Sequence, residues 1–309
     1  MRNGQDPSMS LALLRVEGVF HWGFWVRQAY ASARQDTLPV PPPSTLVGAL
    51  ASGLATVLRD LCGVGVAELR YSESVAEVPL IRELISVNTI RGVYFRILNG
   101  LAIKRVDITR HFQAPYIRTD NWSDKTQWYA VRGVGKVYAV NTLFESAYLI
   151  DVEKAESFAK RVCSSMDPLK LFVLGAMNMS RLGPVEAVVT PRRIEVKEVT
   201  CESITQVPDK PCPYFEISED IRDRLSKAGF TLSNATLVGF WNWRSPEFWS
   251  SNRRPDNVVW YVVPVDGASL EAGIVPKFSS CILIDKVLAQ VGRGVYVGED
   301  LYPYTPSTI

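Results

Sequence analysis

A run of three prolines that leads into a helical pattern is the feature that most constrains this chain. The prolines at positions 41–43 fix their own backbone angles and keep each preceding residue out of the helical region. Over residues 44–62, apolar residues then recur at helical spacing, with glycine, alanine and serine between them. We therefore predict a stiff, extended arm that enters a buried helix, with Ser44 or Thr45 capping its first turn. The predicted apolar stripe consists of Leu46, Val47, Leu50, Leu54, Val57, Leu58 and Leu61.

Length and composition are those of an ordinary folded protein. The chain has 309 residues, 47% hydrophobic and 21% charged, and a formal net charge of +2. This is enough to bury one large core or two moderate ones. No run of about 18 consecutive apolar residues occurs, so we predict no membrane association. Residues 1–8 lack the apolar centre of a signal peptide, and we expect them to be a disordered leader or a scar of recombinant expression.

The cysteines favour a reduced, cytoplasmic protein. There are five of them, widely scattered, and no Cys-x-x-Cys pair occurs. Cys62 and Cys163 fall on predicted helices, where we expect them to pack as small hydrophobic residues. A disulfide between Cys201 and Cys212 is an open alternative.

The order of predicted elements indicates an α+β fold. In chain order, the pattern predicts strand 11–20, helix 44–62, strand 85–97, strand 136–150, helices 151–163 and 168–179, and strand 185–199. This is the ferredoxin-like, RNA-recognition-motif-like layout, in which helices cover one face of the sheet and leave the other face free. Single-stranded RNA commonly binds to that free face.

A cluster of prolines between positions 208 and 213 predicts a domain boundary. We assign residues 9–199 to the ferredoxin-like domain and residues 200–309 to a smaller, mainly β carboxy-terminal domain. The second domain is predicted to contain a short helix, 216–228, and strands 258–265 and 280–288.

A basic and aromatic segment inserted in the first domain, about 91–136, is predicted to form a long β-hairpin. It carries nine lysines and arginines against three aspartates, with aromatic residues interleaved. Cations neutralise phosphates, and aromatic faces stack on unpaired bases with about 1–3 kcal/mol each. The alternative is a solvated hairpin with ordinary surface charge and cross-strand aromatic pairs. The candidate RNA contacts here are Arg105, Arg110, His111, Arg118, Lys125, Arg132 and Lys136.

Two loops supply further candidate phosphate contacts. In residues 180–184, Gly183 lets the backbone approach a phosphate and Arg181 supplies charge. The alternative there is an ordinary helix-stop glycine followed by a proline. In the loop after the first strand, Arg27 and Arg34 are candidates, whereas the aromatic residues are expected to pack.

Signals for catalysis are weak. His21 and His111 are the only histidines, so a histidine acid–base pair or a histidine-rich metal site is not expected. We therefore predict no catalytic residues, no metal and no cofactor. Metal-independent RNA cleavage remains an alternative: one possible assembly joins His111 with Tyr116, and another joins Lys104 with Tyr94. General single-strand nucleic-acid binding is a second alternative.

Three of these segments together resemble the Cas5 family of CRISPR-associated proteins, within the repeat-associated RAMP superfamily. They are the apolar first strand with its loop ending in Trp25-Val26-Arg27, the proline-to-helix run 41–50, and the stretch 179–187, Met-Ser-Arg-Leu-Gly-Pro-Val-Glu-Ala. The resemblance covers about residues 11–199. It is looser in the carboxy-terminal third, where it is most like the archaeal type I-A (Apern) branch.

The resemblance implies a subunit of a Cascade-type surveillance complex in antiviral defence. In the family this subunit binds the 5′ handle of the guide RNA (crRNA), and its hairpin acts as a thumb that traps RNA against a ferredoxin-like palm. It caps the filament of Cas7-type backbone subunits and contacts the large subunit, so that it meets target DNA only indirectly. Another branch of the family cleaves the precursor RNA, but that activity does not map onto this chain, and a non-catalytic role is expected.

The resemblance also implies site residues. Arg27 falls at the arginine position of the first-strand loop, and Ser44 and Thr45 fall at the helix entry. Arg181 and Gly183 fall in the glycine-rich loop. The proline and valine that follow this glycine replace the small, polar or basic residues of relatives, which leaves the loop fewer donors for a phosphate.

Overall fold

The computed structural model describes residues 10–26, 37–64, 79–86, 88–112, 123, 129–227, 234–249 and 258–305. Its strands are β1 (Leu11–Phe20), β2 (Gly23–Phe24), β3 (Ile90–Asn99), β4 (Ala102–Phe112), β5 (Tyr129–Tyr138), β6 (Leu143–Asp151), β7 (Val189–Val199), β8 (Cys201–Ser203), β9 (Phe215–Ile217), β10 (Thr236–Trp241), β11 (Val258–Val263), β12 (Ile274–Val275), β13 (Arg293–Val297) and β14 (Asp300–Pro303). Its helices are α1 (Pro43–Cys62), α2 (Pro79–Ser86), α3 (Val152–Val162), α4 (Pro168–Met177), α5 (Glu219–Lys227), α6 (Gly267–Glu271) and α7 (Asp285–Val291). The chain is a mixed α and β protein with several antiparallel sheets, which confirms the predicted class at that level.

A four-stranded antiparallel sheet with the strand order β3–β6–β1–β7 forms the centre of the fold. Successive side chains of a strand point to opposite faces of its sheet. In β1, Leu14, Val16 and Phe20 lie in the core that includes α1. Leu11 and Leu13 belong to a second core on the other face. This central strand is therefore buried on both faces.

Helix α1 lies where the sequence predicts it, and two buried tyrosines hold its proline lead-in. The hydroxyl of Tyr214 donates to the carbonyl of Pro41 at 3.1 Å, and that of Tyr148 donates to the carbonyl of Leu46 at 3.0 Å. The predicted apolar stripe is buried except for Leu61, which is 63% exposed. Side-chain contacts from β6 and from the carboxy-terminal region thus fix where α1 begins.

The predicted side-chain cap of α1 is wrong. Pro42 is the amino-terminal cap residue, and no side chain caps the helix. The Pro42 carbonyl instead accepts from the backbone amides of Thr45 and Leu46, at 2.9 and 3.3 Å. Because Pro43 has no amide hydrogen, the first turn has one donor fewer to satisfy. Ser44 and Thr45 therefore lie inside the helix.

The small residues of α1 permit close contact with α4. A Cβ built on Gly53 would overlap the carbonyl oxygen of Gly175, and one built on Gly175 would lie 2.6 Å from Cγ of Leu54. By length and hydropathy alone α1 could cross a bilayer, but half of its apolar window is buried inside the protein. Its contacts are those of a core helix.

The second face of the central sheet is not free, contrary to the prediction. Carboxy-terminal elements cover it, in a core that joins Leu13 and Leu149 of the sheet to Phe215, Leu288 and Tyr302. Because these side chains are buried, the face is closed to a single-stranded RNA. Any RNA site must lie at an end of the sheet or on the loops.

Buried ionic contacts tie the β13–β14 hairpin to that face. Glu145 is fully buried and accepts hydrogen bonds from Arg15 at 2.6 Å and from Arg96 at 3.0 Å. The hydroxyl of Tyr302 donates to the same carboxylate at 2.7 Å, and Arg96 also pairs with Asp300 at 2.9 Å. Burial opposes the charge of Arg96, but the attractions of Glu145, Tyr302 and Asp300 together outweigh it, and the pKa of Arg96 rises.

Both cores draw on residues from either side of the boundary predicted near position 200. The core around α1 includes Phe240 and Tyr261, and the core on the other face includes Leu13 and Leu149. The ranges 9–199 and 200–309 therefore share their hydrophobic interior.

Three smaller sheets surround the central one, with strand orders β10–β11–β9, β12–β4–β5–β2 and β14–β13–β8. In the second of these, β4 and β5 form an antiparallel ribbon that pairs Ile103 with Tyr138 at one end and Phe112 with Tyr129 at the other. The predicted basic hairpin corresponds to this ribbon. Its base lies where β2 joins β5.

Two local predictions are wrong. Residues 79–86 form α2, and the strand predicted from position 85 begins at Ile90. The strand predicted over 280–288 is a 3₁₀ turn, Cys281–Ile284, followed by α7. The Ser280 hydroxyl accepts from the amide of Ile282 and caps that turn, a contact that competes with strand pairing.

Four cysteines form two disulfides, Cys62–Cys163 and Cys212–Cys281. The expectation that Cys62 and Cys163 pack as unpaired hydrophobic residues is wrong. The alternative of a bridge between Cys201 and Cys212 is wrong as well, and Cys201 is a free thiol. The paired residues are 101 and 69 positions apart, so only the fold brings them together.

Candidate nucleic-acid interface

A cleft of about 500 Å³ lies beside the first turns of α1. Its floor is one side of the helix, because Thr45, Gly48 and Ser52 recur at a spacing of three to four residues. Its other walls are the segment that follows β2 and the loop 180–184. The residues that line the cleft are Trp25, Val26, Thr45, Gly48, Ala49, Ser52, Ser180, Arg181, Gly183 and Pro184.

The loop that walls the cleft, residues 180–188, is closed by its own hydrogen bonds. The Leu182 amide donates to the Ala187 carbonyl at 2.9 Å, and the Val189 amide donates to the Ser180 carbonyl at 3.0 Å. Leu182 and Ala187 are buried, which leaves Arg181 exposed at the rim of the cleft. Gly183 has φ 125°, a backbone conformation that favours glycine. The glycine is therefore required by the loop's shape.

An aromatic pair, Trp22 and Tyr138, lies next to this loop. Their ring centroids are 6.0 Å apart, and the Trp22 indole donates to the carbonyl of Glu186. Nearby, a ring nitrogen of His21 is 2.8 Å from the Thr190 hydroxyl. Of the aromatic residues in the loop after β1, Phe24 is buried as predicted, whereas Trp22 and Trp25 are only partly buried.

The ribbon adds cations next to the aromatic pair. Arg105 and Lys136 are directly paired across β4 and β5, and Arg105 is exposed. The ammonium of Lys136 donates to Asp107 at 2.7 Å, and this hydrogen bond raises the pKa of Lys136. Lys136 therefore stays protonated, while Asp107 offsets part of its charge.

The structure brings together three of the predicted site residues, Thr45, Arg181 and Gly183, at the cleft. Ser44 lies one position away, in the first turn of α1. Three further candidates lie on the outer ribbon, where only the backbone is described: Arg110, His111 and Arg132. The remaining candidates lie outside the described residues: Arg27, Arg34, Arg118 and Lys125.

The structure rules out one of the two cleavage assemblies considered from the sequence, that of Lys104 with Tyr94. Tyr94 is buried beneath the carboxy-terminal elements, and burial raises the pKa of its hydroxyl well above the usual value. It can neither reach RNA nor ionise readily, so the pairing of Lys104 with Tyr94 is wrong. The alternative with Tyr116 lies outside the described residues.

In the part of the chain that the structure describes, no group of three or more His, Cys, Asp or Glu side chains could hold a metal ion.

Sequence reasoning missed the floor of the cleft and the aromatic pair. The signal for the floor is present, because Thr45, Gly48 and Ser52 form a polar, small-residue stripe beside the leucine stripe of α1. For Trp22 and Tyr138, which are 116 positions apart in the chain, pairing follows only from the contact between β2 and β5.

The sequence is 26% identical to the CRISPR-associated protein Cas5 2 of Saccharolobus solfataricus over 186 residues, which is 60% of this chain and 61% of that protein. The comparison supports a Cas5 family assignment. The matched segment spans about three fifths of the Cas5 relative, and no protein-family model matches the chain.

The fold is similar to that of a CRISPR protein from Archaeoglobus fulgidus. The two align with a TM-score of 0.50 and 14% identity, over 94% of this chain and 98% of that one. A chain from a CRISPR RNA-guided surveillance complex aligns over 63% of this chain and 70% of its own length, with a TM-score of 0.33 and 10% identity. Only the first alignment is close enough to indicate a shared fold.

Proposed function

We propose that this chain is a non-catalytic guide-RNA (crRNA) binding subunit of a type I CRISPR effector complex of the Cascade type, and that it holds the 5′ handle of the guide. Its expected neighbours are a Cas7-type backbone subunit, whose filament it caps, and the large subunit of the complex. The observation that carries the proposal is the cleft. It joins Thr45, Arg181 and Gly183, which the Cas5 resemblance nominates from separate segments.

The central sheet is the palm in this proposal. Its elements follow in the order strand, helix, strand, strand, helix pair, strand, and the order β3–β6–β1–β7 puts the first and third of these strands in the middle. Both features are those of a ferredoxin-like domain, which supports assignment to the RAMP group. Since both faces of the palm are covered, we place RNA at the end of the sheet, where the cleft opens.

The chemistry of the cleft suits a sugar–phosphate backbone. Among the described lining residues there is one arginine, Arg181, and no carboxylate. Thr45 lies in the first turn of α1, where the helix dipole also favours an anion. The floor at Gly48 and Ser52 leaves room for a backbone to approach, and Trp25 offers an aromatic wall. Contacts of this kind position the strand, and contacts to its bases elsewhere in the protein supply the preference for the handle sequence.

The ribbon is the thumb in this proposal. At its base, the exposed Arg105 and the paired Lys136 lie close to Tyr138, whose partner Trp22 contacts the loop 180–188. A strand that leaves the cleft across this loop meets these cations next. The thumb then contributes affinity through phosphate contacts.

Binding of two RNAs of equal length tests the proposal. One carries the repeat-derived 5′ handle of the host's own CRISPR locus, and the other is a scrambled version. We expect tighter binding of the handle RNA by fluorescence anisotropy; equal affinity would instead support a general single-strand binder. In EDTA we expect repeat RNA to stay intact. Cleavage at a single site that is lost in His111→Ala would replace the scaffold role with a ribonuclease.

A further inference from the structure

The aromatic pair at the base of the ribbon, Trp22 and Tyr138, is not among the residues that line the cleft. Tyr138 is 39% exposed, and Trp22 is only partly buried. Two valines near it in sequence, Val140 after Tyr138 and Val185 before Glu186, are 63% and 68% exposed. Single exposed apolar residues are ordinary, but two solvent-accessible aromatic rings in contact with each other indicate a binding surface.

Trp22 is held firmly in place, which is what a binding platform needs. The backbone carbonyl of Trp22 accepts from the amide of Ala139 at 2.7 Å, and its indole donates to the carbonyl of Glu186. Gly23, with φ 146°, follows directly, and a Cβ there would overlap the carbonyl of Val137. Backbone and side chain of Trp22 are thus fixed to β5 and to the loop that walls the cleft. Little conformational freedom is left to lose when a ligand binds.

Cations lie beside the aromatic pair. Lys136 lies two positions before Tyr138 on the same side of β5, and Arg105 pairs with Lys136 across the ribbon. Asp107 and the exposed Glu186 offset part of their positive charge. Apolar protein interfaces are depleted in charged residues at their centre, whereas aromatic rings beside cations are typical of single-strand nucleic-acid sites.

We propose that Trp22 and Tyr138 form a stacking site for one unpaired base of the strand that leaves the cleft. This inference rests on the proposed function, because it places the base on the strand held by Arg181. The Trp22 indole hydrogen is already bonded, so the pair offers ring surface and the Tyr138 hydroxyl rather than an edge that reads sequence. The site therefore accepts any base.

The test uses the full chain with Tyr138→Ala, Tyr138→Phe and Ile282→Ala, the last an exposed apolar control on the carboxy-terminal 3₁₀ turn. The probes are the labelled handle RNA and a ribose-phosphate strand of the same length without bases. We expect Tyr138→Ala to weaken handle-RNA binding by about 5- to 150-fold, the range for one stacked base, and to leave binding of the baseless strand unchanged. Tyr138→Phe and Ile282→Ala should match the wild type.

Other outcomes overturn the inference in distinguishable ways. Equal weakening with both strands would mean that Tyr138 acts through the fold. If Arg181→Ala weakens handle-RNA binding and Tyr138→Ala does not, the stacking site is wrong and the proposed function stands. If neither change has an effect, the proposed function fails as well. Intact RNA binding with loss of co-purifying subunits in Tyr138→Ala would make the surface a protein-docking site.

Discussion

Replacing Glu145 by glutamine tests how the carboxy-terminal hairpin closes the second face of the central sheet. The Glu145 carboxylate is fully buried and receives hydrogen bonds from Arg15, Arg96 and Tyr302. Glutamine keeps the volume and an oxygen that can accept from Tyr302, but it removes the negative charge. The substitution therefore leaves the buried Arg96 with Asp300 as its remaining acidic partner, beside the carbonyl of Pro211.

The expected loss follows from burial. Removing one partner of a buried ion pair costs about 3–5 kcal/mol, because the charge that stays buried is then compensated less. For 309 residues the unfolding entropy is about 0.65 kcal/mol per kelvin, so Tm should fall by about 5–8 °C. Thermal unfolding followed by circular dichroism measures this shift.

Glu195→Gln is the matched control. Glu195 also faces Arg15, at 3.6 Å, but its side chain is partly exposed. Surface pairs contribute about 0–1 kcal/mol, so the control should lower Tm by less than about 2 °C. If the two variants melt together, the buried network does not hold the hairpin, and the reasoning from burial is refuted.

Three further expectations concern the disulfides, α1 and RNA binding. Cys62→Ser should destabilise the protein by about 4–5 kcal/mol, because its bridge to Cys163 joins residues 101 positions apart; an unchanged Tm would show that the bridge does not form. Gly53→Ala should lower the free energy of unfolding by about 1–3 kcal/mol, because the new methyl group overlaps the Gly175 carbonyl. Gly48→Ala, whose nearest new neighbour is 4.0 Å away, should raise it by up to about 1 kcal/mol through higher helix propensity. Denaturant unfolding of the two variants tests whether the two effects have opposite signs. If the bound strand engages four phosphates, the logarithm of the binding constant should fall with the logarithm of salt concentration with a slope of about −3, and a slope near zero would contradict phosphate contact.

The first helix and its lead-in could be read from the sequence because their signals are local. The prolines at 41–43 and the apolar spacing after them act within a few residues, and α1 runs from Pro43 to Cys62 as expected apart from its cap. The covered sheet face was missed, although a clue was present. Leu11, Leu13 and Leu14 lie in an unbroken apolar run, and such runs are typical of strands buried on both faces.

The site was only partly predictable, for a physical reason. Arg181 and Gly183 could be nominated from a loop with one charge and one glycine, but their position beside Thr45 depends on how α1 docks on the sheet. The disulfides depend on the fold in the same way, because spacing alone does not decide which of five cysteines pair. Long-range contacts of this kind cannot be predicted from local sequence patterns.

The most direct test of the central claim is the affinity of handle RNA for Arg181→Ala, measured beside Arg59→Ala. Both arginines are exposed, but Arg59 lies 14 positions after Thr45 on α1, about 20 Å along the helix. Losing a charge-assisted contact to phosphate should weaken binding by about 10- to 150-fold in Arg181→Ala, while Arg59→Ala should bind like the wild type. Equal affinities of the two variants would contradict the claim that the cleft beside α1 holds the guide RNA.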